Sequence, residues 1–106
     1  MTNTNVVHDS VHQAEMDHWA NRAQYIFNIH HKTRAGRYLL RSMISRFVRM
    51  TGIDKDSRIL EVGCAGGTQT IAFEQAGYEK AMGLDIDPRV LDIAVENCKG
   101  MNVHSD

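Results

Sequence analysis

The stretch RILEVGCAGGTQT, residues 58–70, decides the fold. Its first five residues are mostly apolar and partly β-branched, which predicts a short β-strand over residues 58–62. The glycines that follow predict a sharp turn, and residues 68–75 then place apolar side chains at helical spacing. A strand that leads through a glycine-rich turn into a helix is typical of sites that hold a phosphate or a nucleoside.

A second unit of the same kind follows along the chain. Residues 81–85 predict another strand, and Asp87 with Pro88 predicts a helix start, because aspartate is a favoured N-cap and proline a favoured first helical residue. This helix ends at Gly100, and residues 101–103 begin a further extended segment. The alternation predicts an α/β fold, the first β-α-β-α-(β) half of a doubly wound parallel sheet.

Two helices are predicted upstream of this α/β unit. One begins with Ser10 as its N-cap and reaches His30. The other is amphipathic, covers residues 34–50, and ends at the pair Thr51-Gly52. The N-terminal part of the chain is therefore predicted to be helical.

These elements divide the chain into three parts. We expect a disordered N-terminus over residues 1–9, a helical lid or cap region over residues 10–53, and the first half of a Rossmann-like domain over residues 54–106. The first strand of a doubly wound sheet is normally central, so here it would be an unprotected edge. We therefore expect the chain to be truncated, or to complete its sheet as a homo-oligomer.

Composition excludes several classes of protein. The chain has 106 residues, of which 42% are apolar and 24% are charged, as in ordinary globular domains. No apolar run approaches the roughly 18–20 residues of a membrane-spanning helix, and the N-terminus carries no secretory signal pattern. Two cysteines are too few for a disulfide scaffold. These features predict a cytoplasmic protein without a membrane partner.

Charge is distributed unevenly along the chain. Residues 1–53 hold seven Lys/Arg and three Asp/Glu, whereas residues 54–106 hold five and ten. The stretch from Lys32 to Arg49 carries six basic residues and no acidic one. A solvated face of the amphipathic helix is the commoner explanation, and a surface for nucleic acid or another phosphate ligand is the alternative.

The glycine turn fits neither of two familiar nucleotide motifs. A phosphate-binding loop needs a lysine after its last glycine, and the dinucleotide fingerprint needs glycines where this chain has Ala65 and Thr68. Two acids do fit the pattern of a nucleoside site. Glu61 stands two residues before the first glycine, and Asp85 ends the second strand, where an acid can accept hydrogen bonds from ribose hydroxyls. Since the turn has no basic residue, a positively charged nucleoside fits better than a dinucleotide.

Residues 58–99 resemble the cofactor-binding half of class I S-adenosylmethionine-dependent methyltransferases. The motif E/D-x-G-x-G-x-G of that family corresponds to residues 61–67, with alanine at a position that is usually glycine, and the acid after its second strand corresponds to Asp85. The resemblance implies S-adenosylmethionine as cofactor. The cofactor-binding residues implied by it are Glu61, Gly63, Cys64, Ala65, Gly67, Asp85, Ile86 and Tyr25.

The resemblance also implies a role for each part of this set. Glu61 would act near the methionine end of the cofactor, and the glycine turn would pass under the methionine and the ribose. Asp85 would hold the ribose hydroxyls, and Ile86 would pack on the adenine. Tyr25 would cover the cofactor from a lid segment, although packing of this helix onto the core through its aromatic residues is an equally good interpretation.

The predicted function is methyl transfer to an unidentified acceptor, with a small molecule favoured. No residue is identified as catalytic, and we expect little or no turnover from the 106-residue chain alone, because half of the pocket of a doubly wound sheet would be missing. The alternative is a non-catalytic module that binds a nucleoside cofactor, or nucleic acid through the basic helix from Lys32 to Arg49.

Three other features have plainer explanations. His8 and His12 share a helical spacing but lack a third ligand, so no metal is predicted. Cys64 is interpreted as a small residue in a crowded turn rather than a nucleophile. His30 and His31, at a helix end, are expected to favour the helix dipole when protonated.

Overall fold

The computed structural model describes the backbone of residues 4–101 and the side chains of residues 11–101. The fold is α/β, as predicted: N-terminal helices precede a small parallel sheet with helices, which is part of a Rossmann-like fold. In chain order the elements are α1 (Thr4–His31), α2 (Arg34–Thr51), β1 (Ile59–Val62), α3 (Thr68–Gln75), β2 (Ala81–Leu84) and α4 (Pro88–Gly100). The third strand expected from residue 101, and Asp106, lie outside the described residues.

The two strands form a parallel pair in which Ile59 lies opposite Ala81 and Val62 lies opposite Leu84. Because the strands are parallel, both end at the same edge of the sheet, and α3 makes the crossover between them. The backbone N–H groups of Gly63 and Cys64 donate to the Leu84 carbonyl over 2.7 and 2.9 Å. The turn after β1 is thereby attached to the end of β2.

Most helix ends follow from local sequence. Asp87 caps α4 by accepting from the Arg89 N–H, and Pro88 is the first helical residue, which confirms the prediction. Thr33 caps α2, and Gly52 ends it in the left-handed conformation. The start of α1 was predicted incorrectly: the helix begins at Thr4, so Ser10 lies within it rather than capping it. The stretch 1–9 expected to be disordered overlaps α1 in residues 4–9, and its first three residues lie outside the described part.

The main core lies between α2 and α3. Leu40 and Ile44 of α2 pack on Ala72 and Phe73 of α3, with Tyr78 beside them. The Phe73 ring stands edge-on to the rings of Phe47 and Tyr78, at centroid distances of 5.3 and 5.9 Å. This geometry is favourable for aromatic pairs. The sequence predicts one apolar face of α2 made of Leu39, Leu40, Met43, Ile44, Phe47 and Met50. Of these, Leu40 and Ile44 are buried as predicted, whereas Leu39 and Met50 at its margin are exposed.

One face of the sheet has no cover among the described residues. Its side chains are large and apolar, and their exposed fractions are between 47% and 78%: Leu60, Val62, Met82 and Leu84. Alternate positions of the same strands are half-buried towards the helices. Among residues 4–101, no helix is both long and apolar enough to cross a membrane.

His31 is buried rather than exposed at a helix end, which corrects the expected interaction with the helix dipole. Its Nε2 lies 2.7 Å from the Thr68 carbonyl at the start of α3, and its ring stacks on Phe27 at a centroid distance of 4.4 Å. A carbonyl oxygen only accepts, so Nε2 carries the proton. Burial lowers the pKa of His31, which favours the neutral ring.

This burial predicts a pH-dependent stability. The unfolded chain takes up a proton at His31 near pH ~6.5, whereas the folded chain resists it until a lower pH, so the free energy of unfolding should fall as pH drops through that window. His31→Gln keeps an N–H donor for Thr68 but cannot titrate. Urea unfolding of both proteins from about pH 7.5 down to about pH 5 should give a smaller decrease for the variant. The effect of the half-buried Glu61, whose raised pKa acts in the opposite sense, is the same in both proteins and cancels in this comparison. Identical pH profiles would contradict the prediction.

Candidate functional site

A cavity of about 550 Å³ opens at the edge where β1 and β2 end, with α1 as its opposite wall. That volume is within the range of small-molecule sites, roughly 300–1,000 Å³. The sheet side contributes the turns after both strands, and α1 contributes side chains from several turns. Its lining includes Glu15, Trp19, Glu61, Gly63, Cys64, Ala65, Asp85, Ile86 and Asp87.

The turn after β1 has an unusual backbone. Gly63, Ala65 and Gly67 have φ angles of 78°, 50° and 82°, and Ala65 is the only residue other than glycine with a positive φ among those described. An L-residue with a side chain is strained in this region, which explains why the related motif normally has glycine there. A Cβ added to Gly63 would meet no atom within 4 Å, so a ligand in the cavity can approach the backbone closely at that residue.

Strain at Ala65 leads to a prediction with a definite sign. Ala65→Gly should raise the free energy of unfolding by about 1 kcal/mol, since glycine tolerates positive φ, and should leave ligand affinity unchanged. Ala35→Gly is the matched control: Ala35 is exposed within α2, where glycine costs about 0.5–1 kcal/mol. Chemical denaturation measures both. Destabilisation by Ala65→Gly would show that the turn does not have this conformation in solution.

Asp85 connects the two turns that line the cavity. Its Oδ2 accepts from the Ala65 N–H over 2.9 Å, and its Oδ1 accepts from the Asp87 N–H over 3.0 Å. The carboxylate lies at the predicted strand end and lines the cavity. Each carboxylate oxygen can accept a second hydrogen bond, so Asp85 can hold the turn and a ligand hydroxyl together.

Glu61 also lines the cavity, and its hydrogen bonds go to α3. Its Oε1 accepts from the Thr70 hydroxyl over 2.6 Å and from the Thr70 N–H over 3.2 Å. Burial raises the pKa of Glu61, and the two bonds from Thr70 oppose that effect. Glu61 thus lines the cavity and is also hydrogen-bonded to the first turn of α3.

Cys64 belongs to the turn after β1, and its side chain is buried. Burial raises the pKa of its thiol to about 11, and the nearby charges of Glu61 and Asp85 act in the same direction. The thiol is therefore protonated near neutral pH, and only a thiolate is a good nucleophile. This agrees with the interpretation of Cys64 as a small residue in a crowded turn.

Of three further residues that were predicted to bind the cofactor, one lines the cavity and two do not. Ile86 is at the cavity rim with an exposed fraction of 71%. Gly67 does not line the cavity: it caps α3, and a Cβ there would come within 3.4 Å of Ile71 and Ala94. Tyr25 does not line the cavity either, and 60% of it is exposed. The aromatic residue that α1 places at the cavity is Trp19.

Sequence reasoning missed Asn97, which is buried in α4. Its Nδ2 donates to the Gly66 carbonyl over 2.9 Å, and its Oδ1 accepts from Gln24 of α1 over 3.1 Å. Asn97 therefore holds the glycine turn to two helices. The sequence did contain a sign of this role: Asn97 is a single amide on the otherwise apolar inward side of the predicted helix. A buried amide needs hydrogen-bond partners, so it points to a contact with another element.

Arg89 was missed as well. Its guanidinium contacts Asp17 of α1 at 2.8 Å and Asp87, the N-cap of α4, at 2.7 Å. Hydrogen bonds from Arg89 lower the pKa of both carboxyl groups. This three-residue cluster connects the wall formed by α1 to the rim formed by the start of α4.

The cavity is acidic. Four carboxylate side chains line it, of which Asp87 is paired with Arg89: Glu15, Glu61, Asp85 and Asp87. No Lys or Arg is among its described lining residues. Such a lining favours a ligand that carries positive charge and disfavours a pyrophosphate. Across residues 11–101, no three His, Cys, Asp or Glu side chains come together in a way that could hold a metal ion.

A parallel β-α-β unit, in which a strand-end carboxylate accepts a hydrogen bond from a glycine turn beside a cavity, is typical of Rossmann-like nucleoside-binding proteins. The model of the family described as "Ribosomal protein L11 methyltransferase (PrmA)" matches residues 30–106. The chain belongs to that family.

Curated relatives agree with this assignment over about half of the chain. It is similar to the ribosomal protein L11 methyltransferase of Colwellia psychrerythraea, with 33% identity over 55 residues, or 51% of the chain and 19% of the relative. The enzymes of Clostridium botulinum (38% over 50 residues; 47% and 16%) and Chromohalobacter salexigens (38% over 55 residues; 51% and 18%) are comparable. No solved structure matches the chain. The matched residues span less than a fifth of the length of each relative.

Proposed function

We propose that this chain is the S-adenosylmethionine-binding portion of a methyltransferase that acts on a protein. The observation that carries the proposal is the acidic cavity at the ends of β1 and β2, whose lining has carboxylates and no described cation. S-adenosylmethionine carries a sulfonium and an ammonium group, so such a lining stabilises it better than a neutral or anionic nucleoside.

The arrangement of residues supports a definite placement of the cofactor. Asp85 keeps acceptor capacity for ribose hydroxyls while it holds Ala65 and Asp87. Gly63 leaves room for the cofactor to lie against the backbone, and Ile86 offers an apolar side chain at the rim. Trp19 of α1 takes the covering role that the sequence resemblance assigned to Tyr25, because Trp19 is the one that lines the cavity.

When bound, the cofactor would supply a methyl group on its sulfonium sulfur, and in-line transfer of that methyl to an acceptor nucleophile would break the carbon–sulfur bond and release S-adenosylhomocysteine as the neutral thioether. The contribution of this chain is binding and orientation, since in-line displacement depends chiefly on the geometry of the two reacting atoms. Glu61, fixed by Thr70, offers a carboxylate near the positive end of the ligand. Among the described residues none is assigned as a base, and little or no turnover from the 106-residue chain stays a prediction.

The proposed acceptor is ribosomal protein L11, because the family and the curated relatives are named for that substrate. A protein acceptor replaces the small molecule that the sequence favoured. The relatives are several times longer than the matched segment, so in the proposal the residues that recognise the acceptor are not assigned to this chain. The cytoplasmic location also stays a prediction.

Isothermal titration tests the cofactor directly. We expect the 106-residue chain to bind S-adenosylmethionine with a dissociation constant below about 1 mM, and to bind S-adenosylhomocysteine more weakly, because the latter lacks the sulfonium charge that the acidic cavity favours. Absence of heat change at millimolar S-adenosylmethionine would overturn the proposal. Equal affinity for both would contradict the role of the carboxylates.

Asp85→Ala should weaken this binding by about 5- to 150-fold, which corresponds to about 1–3 kcal/mol for the loss of a charged hydrogen-bond partner. Asp92→Ala is the matched control, because Asp92 is an exposed aspartate of α4 that does not line the cavity. Circular dichroism confirms that both variants fold. An unchanged affinity of the Asp85 variant would remove the proposed ribose contact.

A further inference from the structure

His30 lines the cavity from the last turn of α1 and leaves one of its ring nitrogens free for a ligand. Its Nδ1 lies 2.8 Å from the Ile26 carbonyl oxygen, one turn earlier in the helix. A carbonyl oxygen only accepts, so Nδ1 carries a proton, and in the neutral ring Nε2 keeps its lone pair. Nε2 has no partner among the described residues, and no buried side-chain nitrogen among them lacks one. This acceptor is therefore accessible.

The position of His30 is fixed by contacts of its neighbours. The adjacent His31 has the opposite tautomer: its Nε2 carries the proton that the Thr68 carbonyl accepts, and it does not line the cavity. The end of α1 is thereby attached to the start of α3. A Cβ at Gly36 would lie 2.5 Å from the His30 Cα, so α2 also packs closely on the backbone of His30.

Glu61 supplies a second acceptor at the same end of the cavity. Thr70 donates both of its hydrogen bonds to Oε1, and Oε2 has no partner among the described residues. Thr70 lies in the first turn of α3, and Thr68, the first residue of that turn, is bonded to His31. His30 and Glu61 are thus attached to one turn, and both line the end of the cavity beside α3.

The other end of the cavity lies at the start of α4. There Arg89 joins Asp17 of α1 to Asp87, and Asp85 accepts from the Asp87 N–H. At a rise of about 1.5 Å per residue, α1 covers about 20 Å between Asp17 and His30. The cavity therefore has room for a nucleoside at Asp85 and for a second group of the same ligand beside α3.

The two free acceptors select the chemistry of that second group. An imidazole nitrogen with a lone pair and a carboxylate oxygen both accept hydrogen bonds, so they suit a group that only donates. A primary ammonium group has three donors and no acceptor, and its positive charge is favoured by the acidic lining. A carboxylate or a phosphate would meet two acceptors and negative charge instead.

We propose that His30 Nε2 and Glu61 Oε2 form a subsite for a primary ammonium group at the α3 end of the cavity. The inference rests on the proposed function: the group is the α-ammonium of S-adenosylmethionine, while Asp85 holds the ribose. His30 is then a specificity-determining residue, because it favours a cofactor that has an amino-acid portion over a nucleoside that lacks one. An amine of the protein acceptor has the same chemistry, and the experiment separates the two sources.

Isothermal titration of the 106-residue chain with two neutral thioethers tests the subsite. S-adenosylhomocysteine carries the ammonium group, whereas 5′-methylthioadenosine lacks the whole amino-acid portion, and neither has a sulfonium. We expect S-adenosylhomocysteine to bind more tightly. His30→Phe removes the acceptor but keeps a ring, so it should reduce the ratio of the two affinities by about tenfold. His30→Gln should restore most of the ratio, because its amide oxygen can replace Nε2 as acceptor.

Two further variants serve as controls. His18→Phe is the matched control, because His18 is an exposed histidine of α1 that does not line the cavity, and the new ring can still pack on Trp19. It should keep the ratio of the unmodified chain. Asp85→Ala should weaken both thioethers to a similar extent, since both carry the ribose. Circular dichroism verifies that each variant folds.

NMR provides a readout that does not depend on affinity. Two-bond 1H–15N spectra distinguish a protonated ring nitrogen from one with a lone pair. Nε2 of His30 should have the shift of an unprotonated nitrogen in the free chain, and that shift should move with S-adenosylhomocysteine but not with 5′-methylthioadenosine. A neutral ring with its proton on Nε2 would overturn the proposal.

An unchanged ratio in His30→Phe would overturn the assignment to the cofactor. If butylammonium then bound more weakly to His30→Phe than to the unmodified chain, the subsite would belong to the acceptor amine. Equal binding of butylammonium would exclude an ammonium subsite altogether. Failure of the proposed function is distinguishable from these results, because neither thioether would then bind to the unmodified chain.

Discussion

Gly36→Ala should destabilise the chain by about 3 kcal/mol or more, because overpacking against a rigid backbone is among the most costly single changes. A Cβ at Gly36 would lie 2.1 Å from the Ile29 carbonyl oxygen and 2.5 Å from the His30 Cα. Both atoms belong to the backbone of α1, so no side-chain rotation can relieve the contact. The two helices would have to separate where α2 begins.

Urea or thermal unfolding of the 106-residue chain measures this effect. Gly100→Ala is the matched control: a Cβ there meets no atom within 4 Å, and alanine should be neutral or stabilising by up to about 1 kcal/mol in a helix. If the Gly36 variant unfolded at the same denaturant concentration as the unmodified chain, the close crossing of α1 and α2 would be wrong.

Gly83→Ala should disturb both stability and ligand binding. A Cβ at Gly83 would lie 2.7 Å from both Cβ and Sγ of Cys64 and 3.1 Å from the Thr70 hydroxyl. Cys64 Cβ cannot move without the turn, which is bonded to the Leu84 carbonyl. We expect a loss of about 2–3 kcal/mol in unfolding free energy, together with at least about tenfold weaker binding of S-adenosylmethionine.

A second substitution separates this contact from a general effect of the added methyl group. Cys64→Gly removes both of the atoms at 2.7 Å, so Gly83→Ala/Cys64→Gly should recover part of the lost stability, with the contact to Thr70 remaining. Unfolding of the unmodified chain, the two single variants and the double variant gives the interaction energy between the two substitutions. Additive effects of the two changes would exclude the contact between Gly83 and Cys64 as the cause.

Elements with strong local signals were predicted well from the sequence. β1, α3 and α4 lie within a residue of their expected bounds, since strand residues, a glycine turn and the Asp87-Pro88 start act within a few positions. The start of α1 was missed by six residues. Asn3, directly before Thr4, is as favoured a capping residue type as Ser10, so the capping pattern alone did not decide where the helix begins.

The inward side of α1 could not be derived from its own sequence. Helical spacing predicts an apolar stripe on α1 made of Val11, Ala14, Trp19, Ala23, Ile26 and Ile29. Yet 64% of Val11, 51% of Trp19 and 42% of Ile29 are exposed. The buried apolar positions are Ala23 of that stripe, as predicted, and Phe27, which was not part of it. Ala23 is small enough for its backbone to approach Gly66 of the turn, where a Cβ would lie 3.0 Å from the Ala23 carbonyl oxygen. Which side is buried therefore depends on the partner element.

By itself the sequence determined the order of the elements, the glycine turn, and the acid that ends the second strand, because each depends on neighbouring residues. It also determined the separation of charge between a basic helix and an acidic half. Only the tertiary structure decided that Trp19 rather than Tyr25 lines the cavity, and that Asn97, Arg89 and His31 hold the turn and the helices. Most of these contacts join residues from 31 to 73 positions apart, and no local pattern specifies which helix packs against which.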